Sequence, residues 1–167
     1  RSLTISGNNK PVFYDILTAV TNDLILKVNV GVINFKEFLF GRIITPRTDS
    51  TITLDLQNDA PYNGITDGTH TDGYVTYTGN LSFTFPIGDD FRLRPMRTSV
   101  GASAMTSSGA YFFEDPNTPT TFQESFDTNK FQSTLAVINP LEFWDLNGAI
   151  PTQVTLTWDP QSRIANI

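Results

Sequence analysis

The residues best suited to chemistry in this chain lie in one short polar segment, residues 67–72, which is bounded by Asp-Gly dipeptides. The segment carries the only histidine, His70, with a carboxylate on either side. Carboxylates and imidazole are ligands of divalent cations, and Asp59 is a further carboxylate nearby in the sequence. The spacing lacks the glutamate that completes an EF-hand loop. The candidate ligands of a calcium ion are therefore Asp59, Asp67 and Asp72.

The same segment has a simpler interpretation, in which the Asp-Gly dipeptides are turns that flank an exposed loop. His70 is then solvated, and the protein needs no cofactor. We favour this interpretation, because no second cluster of ligand residues supports a metal site. It predicts that replacing His70 and Asp72 by alanine leaves folding nearly unchanged.

No other motif specifies a catalytic reaction. A serine hydrolase would need a G-x-S-x-G turn, which is missing, and the absence of cysteine excludes thiol nucleophiles. The adjacent carboxylates at residues 89–90 and 114–115 point to opposite faces of their strands, so neither pair converges on one substrate. Sugar cleavage by carboxylates from different strands stays an open alternative. The sequence thus predicts a protein that is not an enzyme, with no catalytic residues.

Aromatic residues near the polar segment favour recognition over catalysis. The connection at residues 57–72 is longer than a usual hairpin loop, which is typical of a functional or assembly loop. Tyrosines beside it could stack on sugar rings or fill a partner's pocket, although they could equally be ordinary strand residues. The candidates for contact with a ligand or receptor are Tyr62, Asp67, His70, Asp72 and Tyr74.

Charge and composition limit the class of partner. The net charge is −6 and the basic residues are scattered, so no positively charged surface is expected for a phosphate backbone. No apolar run is long enough to predict a transmembrane helix. Charged residues make up 17% of the chain, below the roughly 25% of average soluble domains, as in many extracellular or self-associating β proteins. We expect a homo-oligomer that neither binds nucleic acid nor inserts into a membrane.

Alternating apolar residues predict short strands along most of the chain. Residues 24–30, 51–56 and 81–85 carry an apolar side chain at every second position, which places one face in the core. Residues 12–20 fit either a helix or a strand, and their β-branched and aromatic content favours a strand. Further strands are predicted at residues 111–113, 121–126, 131–138 and 153–158.

The spacing of these strands predicts the fold class. Only residues 141–146 predict a helix, with Asn139 as N-cap and Pro140 at the first position. About ten short strands separated by turn residues predict an all-β protein, and uneven loop lengths favour an antiparallel β-sandwich of jelly-roll or related Greek-key topology. We expect a single domain over residues 1–167, and the start at Arg1 indicates a piece of a longer chain.

These features together predict a non-enzymatic structural or recognition module. The first hypothesis is a viral capsid spike, fibre-head or jelly-roll capsid domain on the virion surface, which assembles as a homo-oligomer and attaches to a host receptor. The alternative is a carbohydrate-binding or adhesin domain of a secreted bacterial protein, at the cell surface or outside the cell, where calcium assists the binding of glycan.

Overall fold

Strands are the regular elements of this protein. The computed structural model describes residues 2–101, 103–130, 139–148 and 152–157, and every regular element in these ranges is a β-strand. The all-β prediction is confirmed. The described residues include no helix that is long and apolar enough to cross a membrane.

Within these ranges the chain forms sixteen strands, of which β4 is the longest at 11 residues. In chain order they are β1 (Leu3–Ile5), β2 (Val12–Ala19), β3 (Leu24–Leu26), β4 (Val30–Phe40), β5 (Ile43–Ile44), β6 (Leu54–Leu56), β7 (Tyr62–Asn63), β8 (Thr71–Asp72), β9 (Val75–Gly79), β10 (Phe83–Phe85), β11 (Ile87–Asp89), β12 (Arg92–Leu93), β13 (Met96–Thr98), β14 (Met105–Phe112), β15 (Phe143–Gly148) and β16 (Val154–Leu156).

Apart from the short β7, which also pairs with β4, successive strands of the N-terminal half alternate between two sheets. The first sheet joins β1, β3, β5, β8 and β11 through parallel pairs, and the second joins β2, β4, β6 and β9 in the same way. Parallel neighbours need a long crossover, and here each crossover contains a strand of the opposite sheet. The chain therefore winds in coils, and equivalent positions such as Leu3 and Leu24 are about 20 residues apart.

The main hydrophobic core lies between these two sheets, inside the coils. Equivalent positions stack in register from coil to coil, as Val32, Leu56 and Tyr77 do in the second sheet, and all three are buried. Leu24 and Ile43 form the matching pair in the first sheet. Each coil thus covers the apolar side chains of the next, so the stack as a whole excludes water from the core.

The strands towards the C-terminal end pair antiparallel. β14 pairs with β9 and β15 and so extends the second sheet, while β10, β13 and β16 form a separate antiparallel sheet. Tyr111 of β14 points into the main core, and its neighbour Phe112 points to the opposite face. There Phe112 packs with Tyr74, Phe122 and Phe143 in a second, smaller apolar cluster.

The strand pairing favours a β-solenoid over the predicted antiparallel jelly-roll or Greek-key sandwich. The coils of the N-terminal half pair in parallel, whereas jelly rolls are built from antiparallel strands. The sequence pattern did not separate the two, because a coil strand with one face in the core has the same period of two as a sandwich strand.

The ambiguous N-terminal segment is a strand, as predicted. Residues 12–19 form β2 and pair in parallel with β4. The strand predicted at residues 121–126 is wrong, since these residues form an irregular loop. The strand predicted at residues 131–138 lies outside the described residues.

The helix predicted at residues 141–146 is also wrong, because residues 143–148 form β15. The turn signal before it is correct: the side chain of Asn139 accepts a hydrogen bond from the backbone N of Leu141 at 3.0 Å. β14 supplies hydrogen-bond partners along all of β15, and Phe143 stacks on Phe112 with ring centroids 4.9 Å apart. These tertiary contacts outweigh the local helix signal.

Candidate functional site

Asp72 lies at the centre of a network of charged side chains that cross-links the coils. Its Oδ1 accepts hydrogen bonds from Nε and Nη2 of Arg47 at 3.0 and 2.6 Å, and its Oδ2 lies 3.3 Å from Nη1 of Arg42. Arg42 also pairs with Asp23 and Asp90 at 3.1 and 2.8 Å. Both oxygens of Asp72 are therefore occupied by arginines, which gives this predicted contact residue a structural role.

His70 is fully buried, so the predicted exposed loop is wrong at this residue. Its Nδ1 lies 3.0 Å from the carbonyl oxygen of Thr66, and its Nε2 has no hydrogen-bond partner among the described residues. Nε2 packs so closely on Gly88 that a β-carbon there would lie 2.6 Å away. Burial lowers the pKa of His70, although the bond to Thr66 and the charge of Asp72 oppose the shift. A neutral imidazole thus fills space inside the coil.

The three candidate calcium ligands do not come together. Oδ1 of Asp59 accepts hydrogen bonds from the hydroxyl of Tyr77 and from the backbone N of Asn80, and Oδ1 of Asp67 accepts one from the backbone N of Leu93 at 2.9 Å. In the described ranges, no group of three or more histidine or carboxylate residues is placed to hold a metal ion. Calcium takes roughly six to eight oxygen ligands. Here Asp59 and Asp67 each stabilise a separate turn, and Asp72 pairs with arginines.

The two candidate tyrosines have different surroundings. Tyr62 packs edge-on against Phe38 and Phe83, and its hydroxyl donates to the carbonyl oxygen of Thr84 at 2.5 Å. Burial raises the pKa of Tyr62, as expected for a core residue. Tyr74 is also buried, but its hydroxyl reaches a surface cavity and donates to Oδ2 of Asp145 at 2.8 Å. Of the predicted contact residues, Tyr74 is the one that lines this cavity.

The cavity has a volume of about 420 Å³ and is a candidate binding site because Tyr74, a predicted contact residue, lines it. Asp145, on β15, accepts a second hydrogen bond from the side chain of Asn147 at 2.8 Å. Burial raises the pKa of Asp145 and the charge of Glu124 adds to the effect, although the hydrogen bonds from Tyr74 and Asn147 oppose it. Residues of the 121–126 loop complete the lining. The cavity therefore combines carboxylates, amides and aromatic rings.

The chain matches no family model, no curated protein and no solved structure at a significant level.

Sequence analysis missed the residues that form the cavity with Tyr74. Asp145 falls in the predicted helix and Glu124 in the predicted strand at residues 121–126, so no pattern places them beside Tyr74. One signal could have found Asp145. In a strand, Asp145 and Asn147 point to the same face, away from Leu146, which is the alternation that β15 adopts.

Glu114 anchors the loop that completes the cavity. Its carboxylate accepts hydrogen bonds at 2.8 to 2.9 Å from the backbone N of Phe122 and from both the backbone N and the hydroxyl of Thr120 and Thr121. Burial alone would raise the pKa of Glu114, but these bonds outweigh it and lower the pKa to about 2. One carboxylate therefore holds the turn that leads into Gln123 and Glu124.

Replacing Glu114 by glutamine is expected to lower the free energy of unfolding by about 1–3 kcal/mol at pH 7, because charge-assisted hydrogen bonds become neutral ones. The pKa of Glu114 in the folded protein lies below the ordinary glutamate value of 4.5. The contribution of Glu114 is therefore complete above that pH and is lost as the pH falls towards 2. Urea unfolding at neutral and acidic pH measures the difference between the proteins, which should shrink in acid.

The matched control for this prediction is Asp115→Asn. Asp115 is the next residue, and its Oδ1 accepts a hydrogen bond from the backbone N of Asn117 at 2.8 Å. Its replacement should change stability by less than about 1 kcal/mol. A stability loss in Glu114→Gln that stays constant from neutral to acidic pH would contradict the role given to the ionised carboxylate.

Lys36 is a further charged residue that sequence analysis missed. It is fully buried on β4, where its Nζ donates to the carbonyl oxygen of Glu37 and lies 3.8 Å from the ring centroid of Phe38. Burial lowers the pKa of Lys36 to about 7, against the opposing charge of Glu37. The register of β2 and β4 shifts between Phe13 and Asp15, and such a bulge changes which residues face the core.

Proposed function

We propose that this chain is a non-enzymatic structural and recognition module with a β-solenoid body, which self-associates on the surface of a virion and attaches to a host. This role is the viral spike or fibre-head hypothesis of the sequence analysis, with a stack of β-solenoid coils in place of the jelly roll. Support comes from the open end of that stack, where an assembly contact is expected.

The open end of the coil stack carries this proposal. β1 and β2 are the last strands of their sheets, so among the described strands each has a neighbour on one side only. Val12, Tyr14 and Leu17 of β2 are 52%, 65% and 56% exposed. Proteins usually protect such edges with charges, proline or a covering segment, and the terminal coils of solenoids usually carry a polar cap. An edge that is both open and apolar is suited to assembly.

A second copy of the same chain fits this edge. Two β2 strands can pair antiparallel about a twofold axis, which satisfies the open backbone groups of both copies at once. The one charged residue of β2, Asp15, accepts a hydrogen bond from Asn34 at 2.8 Å. Little charge therefore has to leave water when the two edges meet, and the exposed apolar side chains become buried.

Leu17→Lys is expected to weaken self-association by about tenfold or more, because a charge replaces an apolar contact at the edge. Light scattering of the eluting species after size-exclusion chromatography, over a range of concentrations, measures the effect. Leu81→Lys is the matched control, since Leu81 and Leu17 are both 56% exposed but only Leu17 lies on β2. A wild-type protein that stays monomeric at high concentration would overturn the assembly proposal.

The cavity beside Tyr74 favours a second candidate function, glycan binding by a cell-surface or secreted adhesin. Its volume of about 420 Å³ lies within the usual range of small-molecule sites, and polar groups beside aromatic rings suit sugars. A glycan array probed with and without a chelator separates the two candidates. Calcium-dependent sugar binding by a monomer would favour the bacterial adhesin, whereas an oligomer with calcium-independent binding favours the attachment module.

A further inference from the structure

The charges around the cavity beside Tyr74 are unequal. Arg47 is the basic residue of the lining, and its guanidinium group is already engaged by Asp72, by Asp89 at 3.4 Å and by the carbonyl oxygens of Gly88 and Tyr111. Asp145 and Glu124 are the acidic residues, and no cation pairs with either in the part of the chain that the structure describes. The uncompensated charge of the cavity is therefore negative.

An aromatic surface borders the same cavity. Phe126 is 46% exposed and stacks on Phe122, with ring centroids 5.6 Å apart and planes 25° apart. Phe122 in turn packs edge-on against Phe112 and Phe143 at 5.0 and 5.2 Å, which holds it in place. An exposed ring on a packed support offers an apolar face to a ligand at low entropic cost.

The lining of the cavity also offers hydrogen-bonding groups to a ligand. Oδ2 of Asp145 accepts hydrogen bonds from Tyr74 and Asn147, whereas its Oδ1 accepts none from the residues that the structure describes. One carboxylate oxygen is therefore available to a donor on a ligand. Gln123 is exposed and lines the cavity with a side-chain amide. A ligand that fits these groups has an apolar ring face, several hydroxyl groups and a positive charge.

We propose that the cavity binds a saccharide ring that carries a free amino group, with the ammonium at Asp145 and Glu124 and the ring on Phe126. This inference rests on the proposed recognition role and names its ligand class. Neutral sugars lose the contact with the carboxylates, and acidic sugars meet two like charges at close range. The order of affinity is therefore amino sugar, then neutral sugar, then acidic sugar.

Isothermal titration at pH 7 with three oligosaccharide probes tests the proposal: one of glucosamine, its N-acetylated form and one of glucuronic acid. The glucosamine probe should bind about tenfold or more tightly than the N-acetylated probe, and the acidic probe should not bind. Equal affinity for all three, or no binding of the glucosamine probe, overturns the proposal. A simple alkylamine that binds as tightly as the glucosamine probe overturns the saccharide assignment.

Variants locate the binding in the cavity. Asp145→Asn keeps the side-chain shape and should weaken binding of glucosamine by about tenfold, and Phe126→Ala should weaken it by about fivefold. Asp67→Asn and Phe91→Ala are matched controls at an exposed carboxylate and an exposed ring that lie outside both the cavity and the β2 edge, and they should bind as the wild type does. Unchanged affinity in Phe126→Ala and Asp145→Asn overturns the assignment. If Asp145→Asn fails to fold, Phe126→Ala decides alone, because its side chain is exposed.

The two proposals can fail independently. Sugar titration of the Leu17→Lys variant measures the cavity without the assembly contact, and light scattering of Phe126→Ala measures assembly without the aromatic surface. A wild-type protein that forms the oligomer but does not bind the glucosamine probe would overturn the proposed ligand and leave the assembly proposal intact. A monomer that binds glucosamine would overturn the assembly proposal alone.

Discussion

Replacing Asp72 by alanine is expected to lower the free energy of unfolding by about 2–4 kcal/mol, because two largely buried arginines lose their shared carboxylate. The loss is limited because Arg42 keeps Asp23 and Asp90 as partners and Arg47 keeps Asp89. The Asp72 side chain is 14% exposed, and those of Arg42 and Arg47 are each 12% exposed. Oδ2 of Asp72 also accepts a hydrogen bond from the backbone N of Asp90 at 3.0 Å, so the substitution loosens three coils together. This outcome is the opposite of the loop interpretation, which expects almost no change.

Urea unfolding of the Asp72→Ala protein measures this loss directly. Asp67→Ala is the matched control, since Asp67 lies in the same segment but is exposed and caps a single backbone N, that of Leu93. Its replacement should cost less than about 1 kcal/mol. If both variants were equally stable, Asp72 would not be the centre of the network, and the exposed-loop interpretation of this residue would be restored.

Replacing Lys36 by methionine is expected to raise the free energy of unfolding by about 1–4 kcal/mol at pH 7, because an apolar chain of similar size removes a buried charge. Burial lowers the pKa of Lys36 in the folded protein to about 7, from the ordinary lysine value of 10.5. Between these values the unfolded chain binds a proton that the folded chain does not, so wild-type stability rises with pH. Below pH 7 the penalty of the buried charge is complete.

Thermal and urea unfolding across neutral to alkaline pH test this prediction. The gain in Lys36→Met should be largest at and below neutral pH, and it should shrink as the pH rises from about 7 towards 10.5, where the wild type becomes more stable. Lys27→Met is the control at an exposed lysine, and it should change stability by no more than about 0.5 kcal/mol at any pH. A destabilised Lys36→Met protein would show that the bonds of the ammonium to Glu37 and Phe38 outweigh the cost of its burial.

The strands of the N-terminal half could be predicted from local pattern, but their partners could not. Alternation at residues 24–30 correctly placed Leu24 and Leu26 in the core. Strands that pair are about 20 residues apart in the chain, and no pattern within a single strand indicates its partner. The repeat itself was hidden because Leu3, Leu24, Ile43, Thr71 and Ile87 are equivalent in space but unevenly spaced in the chain.

The residues of the candidate site also could not be predicted from local sequence. Residues 67–72 are close in sequence, yet the chain turns His70 into the core and Asp72 towards the arginines. Tyr74 and Asp145 are far apart in sequence, yet the pairing of β9, β14 and β15 brings them within a hydrogen bond. Proximity along the chain was thus a poor guide to proximity in the fold.

By itself the sequence determined the all-β class and most of the N-terminal strands, because both follow from local propensity and from side chains alternating at a period of two. Only the tertiary structure decided the parallel coils, the strand at residues 143–148, the buried Lys36 and the cavity beside Tyr74. These depend on hydrogen bonds and packing between distant residues, whose combined free energy outweighs the local preferences from which the sequence was interpreted.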